Sequence, residues 1–370
     1  MTHSWPSNIL AVAMLLLSDC VAGAAEAPSR SEWENMVAAA EKEGQLVVYT
    51  GGVASQARIE EAFQIAYPKI KVTSVTGRGS QLGPRIIAER RAGKYLVDFF
   101  IGGKGTASAT LLPGKVLAPI QPLLILPEVL DLSKWWQGKH KYVDPEGKYI
   151  FAFVGSGGVV EIGYNTKLVN PKEFTTYWDL LNPKWKGKMT ASDPRMGGMD
   201  TPVLFFYYHS KLGPEFMKRL YGEMDLTITR DYRQPIDWLA AGKFSLCIPC
   251  NTRETEKAMK QGLPLGQILE LKEGGTLSSG GGTISFIDNA PHPNAAKLFV
   301  NWLLSREGQM EFQRRDGADS LRTDIPKQNV LPENRRLDGV DYFDGDEVKF
   351  SDRRPADKLL NEILNKPPRQ

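Results

Sequence analysis

Three short apolar segments in the first third of the chain are each followed by a small-residue turn and a helix-like or polar stretch. The segments lie at residues 46–49, 70–75 and 97–101. Residues 46–49 are a continuous β-prone run, and β-branched and aromatic residues dominate the other two segments, so all three are predicted strands. Apolar residues at helical spacing between residues 59 and 66 predict a helix after the first strand, and residues 81–92 predict another after the second. Alternating strands and helices predict an α/β fold with a mainly parallel sheet.

The later part of the chain continues this alternation. Residues 158–164 and 244–249 are predicted strands, and the second of them is followed by a helix through Met259. A glycine cluster within residues 274–282 separates this part from residues 295–309, where an apolar stripe at helical spacing predicts a helix. A chain of 370 residues is long enough to form two lobes with separate cores.

The first residues differ from the rest of the chain. Residues 9–17 are a short apolar run, followed by small residues that end near Ala24 and Ala25. Such a run is too short to span a bilayer and is typical of a secretory signal. We therefore predict a signal peptide over residues 1–25 and an exported, soluble, periplasmic protein. Lipid attachment at Cys20 is an alternative, although Asp19 occupies the place of the small residue that such sites need.

Charges are nearly balanced and scattered along the chain, with 46 Lys and Arg, 43 Asp and Glu, and a formal net charge of +3. The absence of a long basic run excludes a typical nucleic-acid surface. The four histidines lack the spacing of zinc ligands, so we expect neither a metal nor a cofactor. The adjacent Tyr207 and Tyr208 stand in an apolar run and are interpreted as part of a buried aromatic helix.

Small residues follow each of the first three predicted strands and mark a candidate ligand site. They are Thr50 and Gly51, Gly79 and Ser80, and Gly102 and Gly103. Beyond the carboxyl ends of strands, helix N-termini present free N–H groups, and small residues let a ligand approach the backbone. Ordinary strand-to-helix turns also contain such residues, so one turn alone indicates little. With three such turns in succession, a ligand site and ordinary strand-to-helix turns explain the small residues equally well.

Two cysteines, Cys247 and Cys250, form a C-x-x-C pair within LCIPCNTRE, residues 246–254. Redox pairs with this spacing stand at helix starts, whereas Cys247 lies inside a predicted strand. Residues three apart on a strand are too distant for a disulfide unless the chain turns sharply, a turn that Pro249 can provide. The favoured interpretation is therefore a pair of unbridged, buried thiols, and a local structural disulfide is the alternative.

Several segments resemble those of bacterial extracellular solute-binding proteins. They are NAPHPNAAKLFVNWLLSREGQ at 289–309, WDLLNPKWKGKM at 178–189, VVYT at 47–50, DFF at 98–100, VLAPI at 116–120 and YNTKL at 164–168. The similarity covers nearly the whole mature chain. Within this family, the sequence is most similar to the ferric-ion-binding periplasmic proteins.

The resemblance implies an α/β, two-lobe type II periplasmic-binding-protein fold with an interdomain ligand cleft and two hinge strands. Lobe 1 would comprise residues 26–157 and 280–370, and lobe 2 would be the insertion of residues 158–279. The hinge strands would lie near residues 158–163 and 277–282. The resemblance also implies hinge closure around a ligand, delivery to the permease and ATPase of an ABC importer, and no catalysis. We expect a monomer.

The ferric-binding proteins that this chain resembles hold the metal with two adjacent tyrosines, a histidine and a glutamate. The aligned positions here are Thr252 and Arg253 for the tyrosines, Val53 for the histidine and Gly102 for the glutamate. Ferric iron is a hard cation that requires anionic oxygen ligands, and an arginine would repel it. The resemblance therefore extends to the fold but not to the metal site.

Arginine is a bidentate partner for carboxylate and phosphate groups. We therefore expect the ligand to be a small organic or phosphorylated anion bound by Arg253, with hydrogen bonds from Thr50, Ser80, Ser279 and the glycine loops. The alternative for Arg253 is a solvated residue at a helix start. Two other functions stay open: a ferric-iron carrier that uses different ligands, and a thiol-disulfide enzyme that uses the two cysteines.

Overall fold

The protein is described here by a computed structural model of residues 1, 30–51, 54–196, 199–337 and 339–365. Apart from its first residue, the predicted signal peptide lies outside these residues, as does Cys20. The helices are α1 Arg30–Glu43, α2 Ala54–Ala57, α3 Ile59–Ala66, α4 Gly79–Arg91, α5 Lys104–Thr106, α6 Pro127–Leu130, α7 Asp200–Tyr208, α8 Gly213–Glu223, α9 Gln234–Ala240, α10 Thr252–Lys260, α11 Pro293–Leu304, α12 Arg306–Asp316 and α13 Arg354–Leu364. None of the described helices has the length and apolar composition needed to cross a membrane.

Short strands and single helical turns make up the remaining regular structure. The strands are β1 Gln45–Gly51, β2 Lys71–Gly77, β3 Phe99–Gly102, β4 Leu117–Ala118, β5 Lys141–Tyr142, β6 Ile150–Ala152, β7 Ser156–Gly158, β8 Ile162–Asn165, β9 Met189–Ser192, β10 Thr227–Thr229, β11 Leu246–Cys247, β12 Leu265–Ile268, β13 Gly275–Ser278, β14 Thr283–Ile287 and β15 Tyr342–Asp344. A π-helical turn covers Ala107–Leu111, and 3-10 turns cover Gln121–Leu123, Leu132–Lys134, Trp136–Gly138, Pro171–Glu173, Tyr177–Leu181, Pro183–Trp185, Pro332–Asn334 and Val348–Phe350.

The first sheet has seven strands in the order β2-β1-β3-β14-β6-β5, and β4 also pairs with β14. Strand β1 is parallel to β2 and to β3, so that Thr50 lies opposite both Thr76 and Ile101. These three strands confirm the predicted parallel arrangement. Strand β14 is antiparallel to β3 and β6, and the whole sheet is therefore mixed rather than mainly parallel. The carboxyl ends of β1, β2 and β3 meet at one edge.

The second sheet has five strands in the order β10-β9-β11-β8-β12. Strand β9 is parallel to β10 and to β11, and β8 is antiparallel to β11 and β12. The carboxyl ends of β9, β10 and β11 consequently open onto neighbouring loops at one edge of this sheet. Such an edge is where α/β proteins place their ligands.

A third, three-stranded sheet joins the other two. Strand β7 carries the chain from the first sheet to the second, and β13 carries it back. The two strands are antiparallel, with Thr276 opposite Gly158, and they connect the two larger sheets, as the hinge strands are expected to do. Strand β15 runs parallel to β13 on its other side, an addition that the sequence did not predict. A Cβ on Gly275 would lie 2.5 Å from the carbonyl oxygen of Gly158, so this central strand needs glycine there.

Aromatic side chains fill two separate large cores. In the first core, the ring centroid of Phe299 lies 5.1 Å from that of Phe63 and 5.9 Å from that of Phe99, which joins α11 to α3 and β3. In the second core, the ring centroid of Tyr177 lies 5.5 Å from that of Phe205, on α7. Burial of such rings is the main favourable contribution to folding of both parts.

The C-terminal helix packs differently from the expectation for the tail. We assigned the tail to lobe 1 with residues 280–370, but α13 packs against α7 and α8 and buries Ala356 and Leu360 in the second core. The hydroxyl of Tyr208 also donates a 2.7 Å hydrogen bond to the carbonyl of Asp352. The reason is that α13 presents an apolar face, which must be covered. The other lobe boundaries stay a prediction.

Two predicted elements are each divided in the structure. Residues 158–164 include parts of β7 and β8 rather than a single strand. The predicted helix over 295–309 is broken at Ser305, which leaves the helical conformation and accepts a 3.1 Å hydrogen bond from the backbone N–H of Gly308 as the N-cap of α12. Tyr207 and Tyr208 lie in α7, as the aromatic-helix interpretation predicts.

Candidate functional site

The glycine loops that follow the first three strands lie together at the carboxyl edge of the first sheet. A Cβ on Gly51 would lie 3.7 Å from the Cα of Gly79, and a Cβ on Gly102 would lie 3.3 Å from the carbonyl oxygen of Gly51. A Cβ on Gly103 would lie 3.5 Å from the carbonyl oxygen of Gly280. We call these five glycines the glycine edge.

Packing within the protein explains part of this composition. The Cβ of a larger residue at Gly79 would collide with the side chain of Thr106, and one at Gly102 would lie 2.7 Å from the ring of Phe100. The glycines therefore allow the loops to approach one another, whether or not a ligand binds there. Helix α4 begins at Gly79, within this edge.

The hydroxyl residues predicted at this edge have different surroundings. Thr50 is fully buried, and its hydroxyl lies 3.1 Å from that of Ser74 in a hydrogen bond between neighbouring strands. Ser80 is exposed in the first turn of α4. Ser279 is fully buried, and its hydroxyl has no hydrogen-bond partner among the described residues. The side chain of Ser80 is thus accessible to a ligand, whereas the hydroxyl of Thr50 is already hydrogen-bonded to Ser74 within the sheet.

A cavity of about 420 Å³ lies at the carboxyl edge of the second sheet, where the loops after β9, β10 and β11 meet. It is lined by Met196, Arg230, Asp231, Tyr232, Arg233, Asn251 and Glu254. We call it the arginine cavity. Its volume is in the range of small-molecule sites, and its wall combines two cations with an aromatic ring.

The acidic groups of the arginine cavity are engaged by neighbouring groups of the protein. Asp231 accepts hydrogen bonds from the backbone N–H groups of Gln234, at 3.0 Å, and Arg233, at 2.7 Å. These two N–H groups lower the pKa of Asp231. Glu254 lies 3.4 Å from the guanidinium of Arg233, which also contacts Asp237 at 2.7 Å.

Arg230 is the cavity cation with the most open charge. Its side chain is exposed, and within the described part of the chain it has no ion-pair partner. The pKa of Asp193 is lowered mainly by hydrogen bonds from Arg195, and the charge of Arg230 adds to this effect. The cavity therefore offers at least one cation that a ligand could neutralise.

Helix α10 begins at this cavity. Asn251 is its N-cap, and the Oδ1 atom of Asn251 accepts a 3.2 Å hydrogen bond from the backbone N–H of Glu254. Thr252 and Arg253 are the first two residues of the helix, but their side chains lie outside the described part of the structure. Val53 also lies outside it. The predicted role of Arg253 as the principal ligand contact therefore stays a prediction.

Cys247 and Cys250 form a disulfide directly before this helix, so the favoured interpretation of unbridged thiols is wrong. Strand β11 ends at Cys247 and the chain then turns, which brings the two Cα atoms to 5.4 Å. The peptide bond between Ile248 and Pro249, within this turn, is cis. Both cysteines are buried, and Cys250 packs against Gly163 on β8. The disulfide fixes the segment that leads to Asn251.

The structure thus separates the predicted site residues into two groups. Thr50, Ser279 and the glycine loops belong to the first sheet or its junction with the hinge, and Thr252 and Arg253 belong to the second sheet's edge. Sequence reasoning missed Arg230 and Tyr232. The available signal was the short β-prone run 226–229 followed by RDYR, which lacks the glycines that marked the other loops.

Among the described residues, no group of three or more His, Cys, Asp or Glu side chains is arranged to hold a metal ion. Tyr207 and Tyr208 pack against each other with ring centroids 4.9 Å apart and contact the second core. Neither tyrosine is among the residues that line the arginine cavity.

Solved structures with a similar fold bind different ligands. A Trichodesmium FutA structure with iron and citrate matches at 19% identity and a TM-score of 0.62, covering 87% of this chain and 100% of that one. AfuA of Actinobacillus pleuropneumoniae with fructose-6-phosphate matches at 21% and 0.55, covering 87% and 98%. The ferric binding protein of Campylobacter jejuni matches at 17% and 0.58, covering 86% and 99%. These similarities establish the two-lobe type II periplasmic-binding-protein fold.

Sequence comparisons identify the family. An uncharacterized protein of Haemophilus influenzae is 29% identical over 197 residues, which are 50% of this chain and 55% of that protein. The chain thus spans about half the length of this curated relative. The family model described as bacterial extracellular solute-binding protein matches residues 49–310. The chain belongs to the family of bacterial extracellular solute-binding proteins.

Proposed function

We propose that this protein is the periplasmic substrate-binding component of an ABC importer, that it binds a small organic or phosphorylated anion, and that its lobes close around the ligand. It would act as a monomer that delivers the ligand to a permease and its ATPase, without catalysis. The observation that carries the proposal is the arginine cavity, which places Arg230, Arg233 and the start of α10 around one space.

The electrostatics of this cavity favour an anion. Carboxylates are present, but Asp231 is bonded to backbone N–H groups and Glu254 is close to Arg233. Arg230 keeps an open positive charge, and a helix N-terminus adds a partial positive charge. Guanidinium groups bind carboxylates and phosphates through paired hydrogen bonds. Arg230 therefore supports the same ligand class, an organic or phosphorylated anion, that Arg253 predicts from the sequence.

The glycine edge supports a two-sided site. Its loops follow parallel strands and can present backbone N–H groups, and Ser80 adds an exposed hydroxyl. In a two-lobe binding protein, closure about the hinge strands brings two such edges towards each other. We propose that Gly51, Gly79, Ser80, Gly102 and Gly103 complete the contacts that the arginine cavity begins. Ser279, at the end of hinge strand β13, would respond to the same motion.

A ferric-iron carrier is the second candidate. The arginine cavity contains oxygen donors from Asp231, Tyr232 and Glu254, and the similar structures include FutA with iron and citrate and a ferric binding protein. Two arginines beside these donors oppose binding of a bare trivalent cation. A third possibility, a thiol-disulfide enzyme, is disfavoured because both cysteines are buried, whereas reactive cysteines are partly exposed.

A thermal-shift screen of the purified protein tests the proposal. The panel contains carboxylates, phosphonates, sugar phosphates, inorganic phosphate and ferric citrate, each compared with its counter-ion alone. A ligand at about 100 times its dissociation constant should stabilise the protein by roughly 2.7 kcal/mol. Arg230→Ala and Arg253→Ala should each reduce the shift, whereas Arg219→Ala, on α8, serves as the matched control.

The outcomes separate the candidates. An anion whose shift is lost in Arg230→Ala or Arg253→Ala but kept in Arg219→Ala supports the proposal. A shift that survives both cavity variants shows that the arginine cavity is not the anion site. A shift with ferric citrate but not citrate, together with a visible charge-transfer band that a chelator removes, would replace the anion by iron.

A further inference from the structure

A buried carboxylate from the C-terminal tail joins the end of β13, in the third sheet, to β5, in the first sheet. Asp346 is 3% exposed, and its Oδ2 accepts a 2.6 Å hydrogen bond from the backbone N–H of Ser279. Its two oxygens also lie 3.1 Å from the Nζ of Lys141 and 3.3 Å from the Nζ of Lys104. Burial raises the pKa of Asp346, but the two lysines outweigh that effect and hold its pKa below the usual range.

Neighbouring tail residues strengthen this attachment to the first sheet. Asp344 lies 2.7 Å from the Nζ of Lys141, which belongs to β5. The Nζ of Lys104 donates a 2.5 Å hydrogen bond to the carbonyl of Gly345. Lys104 is the first residue of α5, directly after Gly103, so the tail is bonded to a loop of the glycine edge.

The same short segment is also anchored in the second core. Phe343 is largely buried there, and its ring centroid lies 5.8 Å from that of Phe205 and 4.8 Å from that of Phe350. Between these anchors, β15 pairs with hinge strand β13 through Leu277 and its neighbours. The chain then continues into α13, which packs on α7 and α8. The tail therefore forms a third connection between the two parts of the molecule.

We propose that residues 342–346, which we call the latch segment, restrain rotation of the lobes, and that Asp346 is a positioning residue for the loops that contain Lys104 and Ser279. A rotation about β7 and β13 must either carry the latch segment with one lobe or separate Asp346 from its lysines. Separating a buried carboxylate from its cationic partners is costly. The latch segment thus determines how freely the ligand-free protein opens and closes.

This inference uses the hinge motion of the proposed function but not the identity of the ligand. A protein that binds iron, or a neutral solute, would have the same latch. Failure of the anion screen therefore leaves the latch untouched, and the latch can be tested without any ligand.

The test compares wild type with Asp346→Asn and with Lys141→Met, which both break the ion pair between Lys141 and Asp346, each from one side. Asp352→Asn is the matched control, because Asp352 is an acidic tail residue whose partner, Arg354, is local and exposed. Small-angle X-ray scattering reports the lobe arrangement of the ligand-free proteins. Hydrogen exchange with mass spectrometry reports on peptides that contain residues 103–106 and 279–282.

We expect the scattering curves of both latch variants to be fitted only by a broader mixture of lobe arrangements than that of wild type. In both variants, the two loop peptides should exchange hydrogen at least ~10-fold faster than in wild type. Asp352→Asn should match wild type in both measurements. If the latch variants unfold more easily but their scattering curves superimpose on that of wild type, the ion pairs only stabilise the fold and the proposal is wrong. A change in Asp346→Asn that is absent in Lys141→Met would also overturn it.

Discussion

The guanidinium of Arg233 lies 3.4 Å from the carboxylate of Glu254, and this contact joins the loop after β10 to the first turn of α10. Both residues line the arginine cavity. Glu254 consequently offsets part of the positive charge that an anion would encounter there. Removing the charge of Glu254 should therefore make the arginine cavity more positive while leaving the fold intact.

Glu254→Gln should increase the affinity for an anion found in the screen by about three- to tenfold, because one competing carboxylate is removed from the cavity. The free energy of unfolding should fall by less than about 1 kcal/mol, since the pair is partly exposed. Isothermal titration calorimetry measures the affinity. Glu256→Gln, on the same helix but outside the cavity lining, is the control. Weaker anion binding in Glu254→Gln would contradict this electrostatic role.

Replacing both cysteines by alanine should reduce the free energy of unfolding by about 2 kcal/mol, the value that chain entropy gives for so short a loop. The measurement is denaturant unfolding of the oxidised wild type and the Cys247→Ala/Cys250→Ala variant. Gly163→Ala provides an internal control, because its Cβ would lie 2.8 Å from the Sγ of Cys250. Gly163→Ala should reduce the free energy of unfolding by about 1 kcal/mol less in the Cys247→Ala/Cys250→Ala variant than in wild type. Equal costs in the two backgrounds would show that this contact is unimportant.

Gly79→Ala should destabilise the protein by about 1–3 kcal/mol, because the added Cβ collides with the side chain of Thr106. Thr106→Ala removes the colliding hydroxyl. In the Thr106→Ala background, Gly79→Ala should therefore cost much less stability than it does in wild type. Thermal unfolding of the four proteins completes this cycle. A penalty that does not depend on residue 106 would mean that Gly79 is required for its backbone or for a ligand instead.

The pH dependence of stability should include a contribution from His140. Burial lowers its pKa below the ordinary value, and its Nε2 lies 2.7 Å from the carbonyl oxygen of Val129. The unfolded chain therefore binds a proton at a higher pH than the folded protein does. Its stabilising contribution is complete above the unfolded pKa of about 6.5 and is lost as the pH falls through that value towards the folded pKa.

Denaturant unfolding between about pH 8 and pH 5 measures this effect, since that range brackets the ordinary histidine pKa. In His140→Gln the loss of stability on acidification should be smaller than in wild type. His209→Gln changes another buried histidine, whose pKa is also lowered mainly by burial, and separates the two contributions. Parallel pH profiles for wild type and His140→Gln would exclude His140 as a source of the dependence.

Local patterns were sufficient to predict the elements around the glycine edge. Strands β1, β2 and β3 are uninterrupted apolar or β-prone runs, and α4 begins where small residues allow a turn. Strands β7 and β13 lie close to the positions that the family resemblance gives for the hinge strands. Each of these features depends on residues that are close together in the sequence, or on a pattern shared by the family.

Features that depend on distant partners were not predictable. Strand β15 has no strand pattern of its own and forms because β13 offers it an edge. The disulfide depends on a turn between Cys247 and Cys250 that the sequence only permitted. Arg230 and Tyr232 follow a three-residue strand, β10, that is too short to be recognised by periodicity. They line a cavity only because β9 lies beside β10 and β11 lies on the other side of β9.

The position of β14 has a consequence for the order in which the chain can fold. It lies between β3 and β6 in the first sheet, although it comprises residues 283–287. All five strands of the second sheet lie earlier, between residues 162 and 268. During synthesis or passage through an export channel, the inserted sheet therefore has its complete set of strands before the sheet that surrounds it in the sequence. Until β14 emerges, β3 and β6 each lack the partner strand that they have in the complete first sheet.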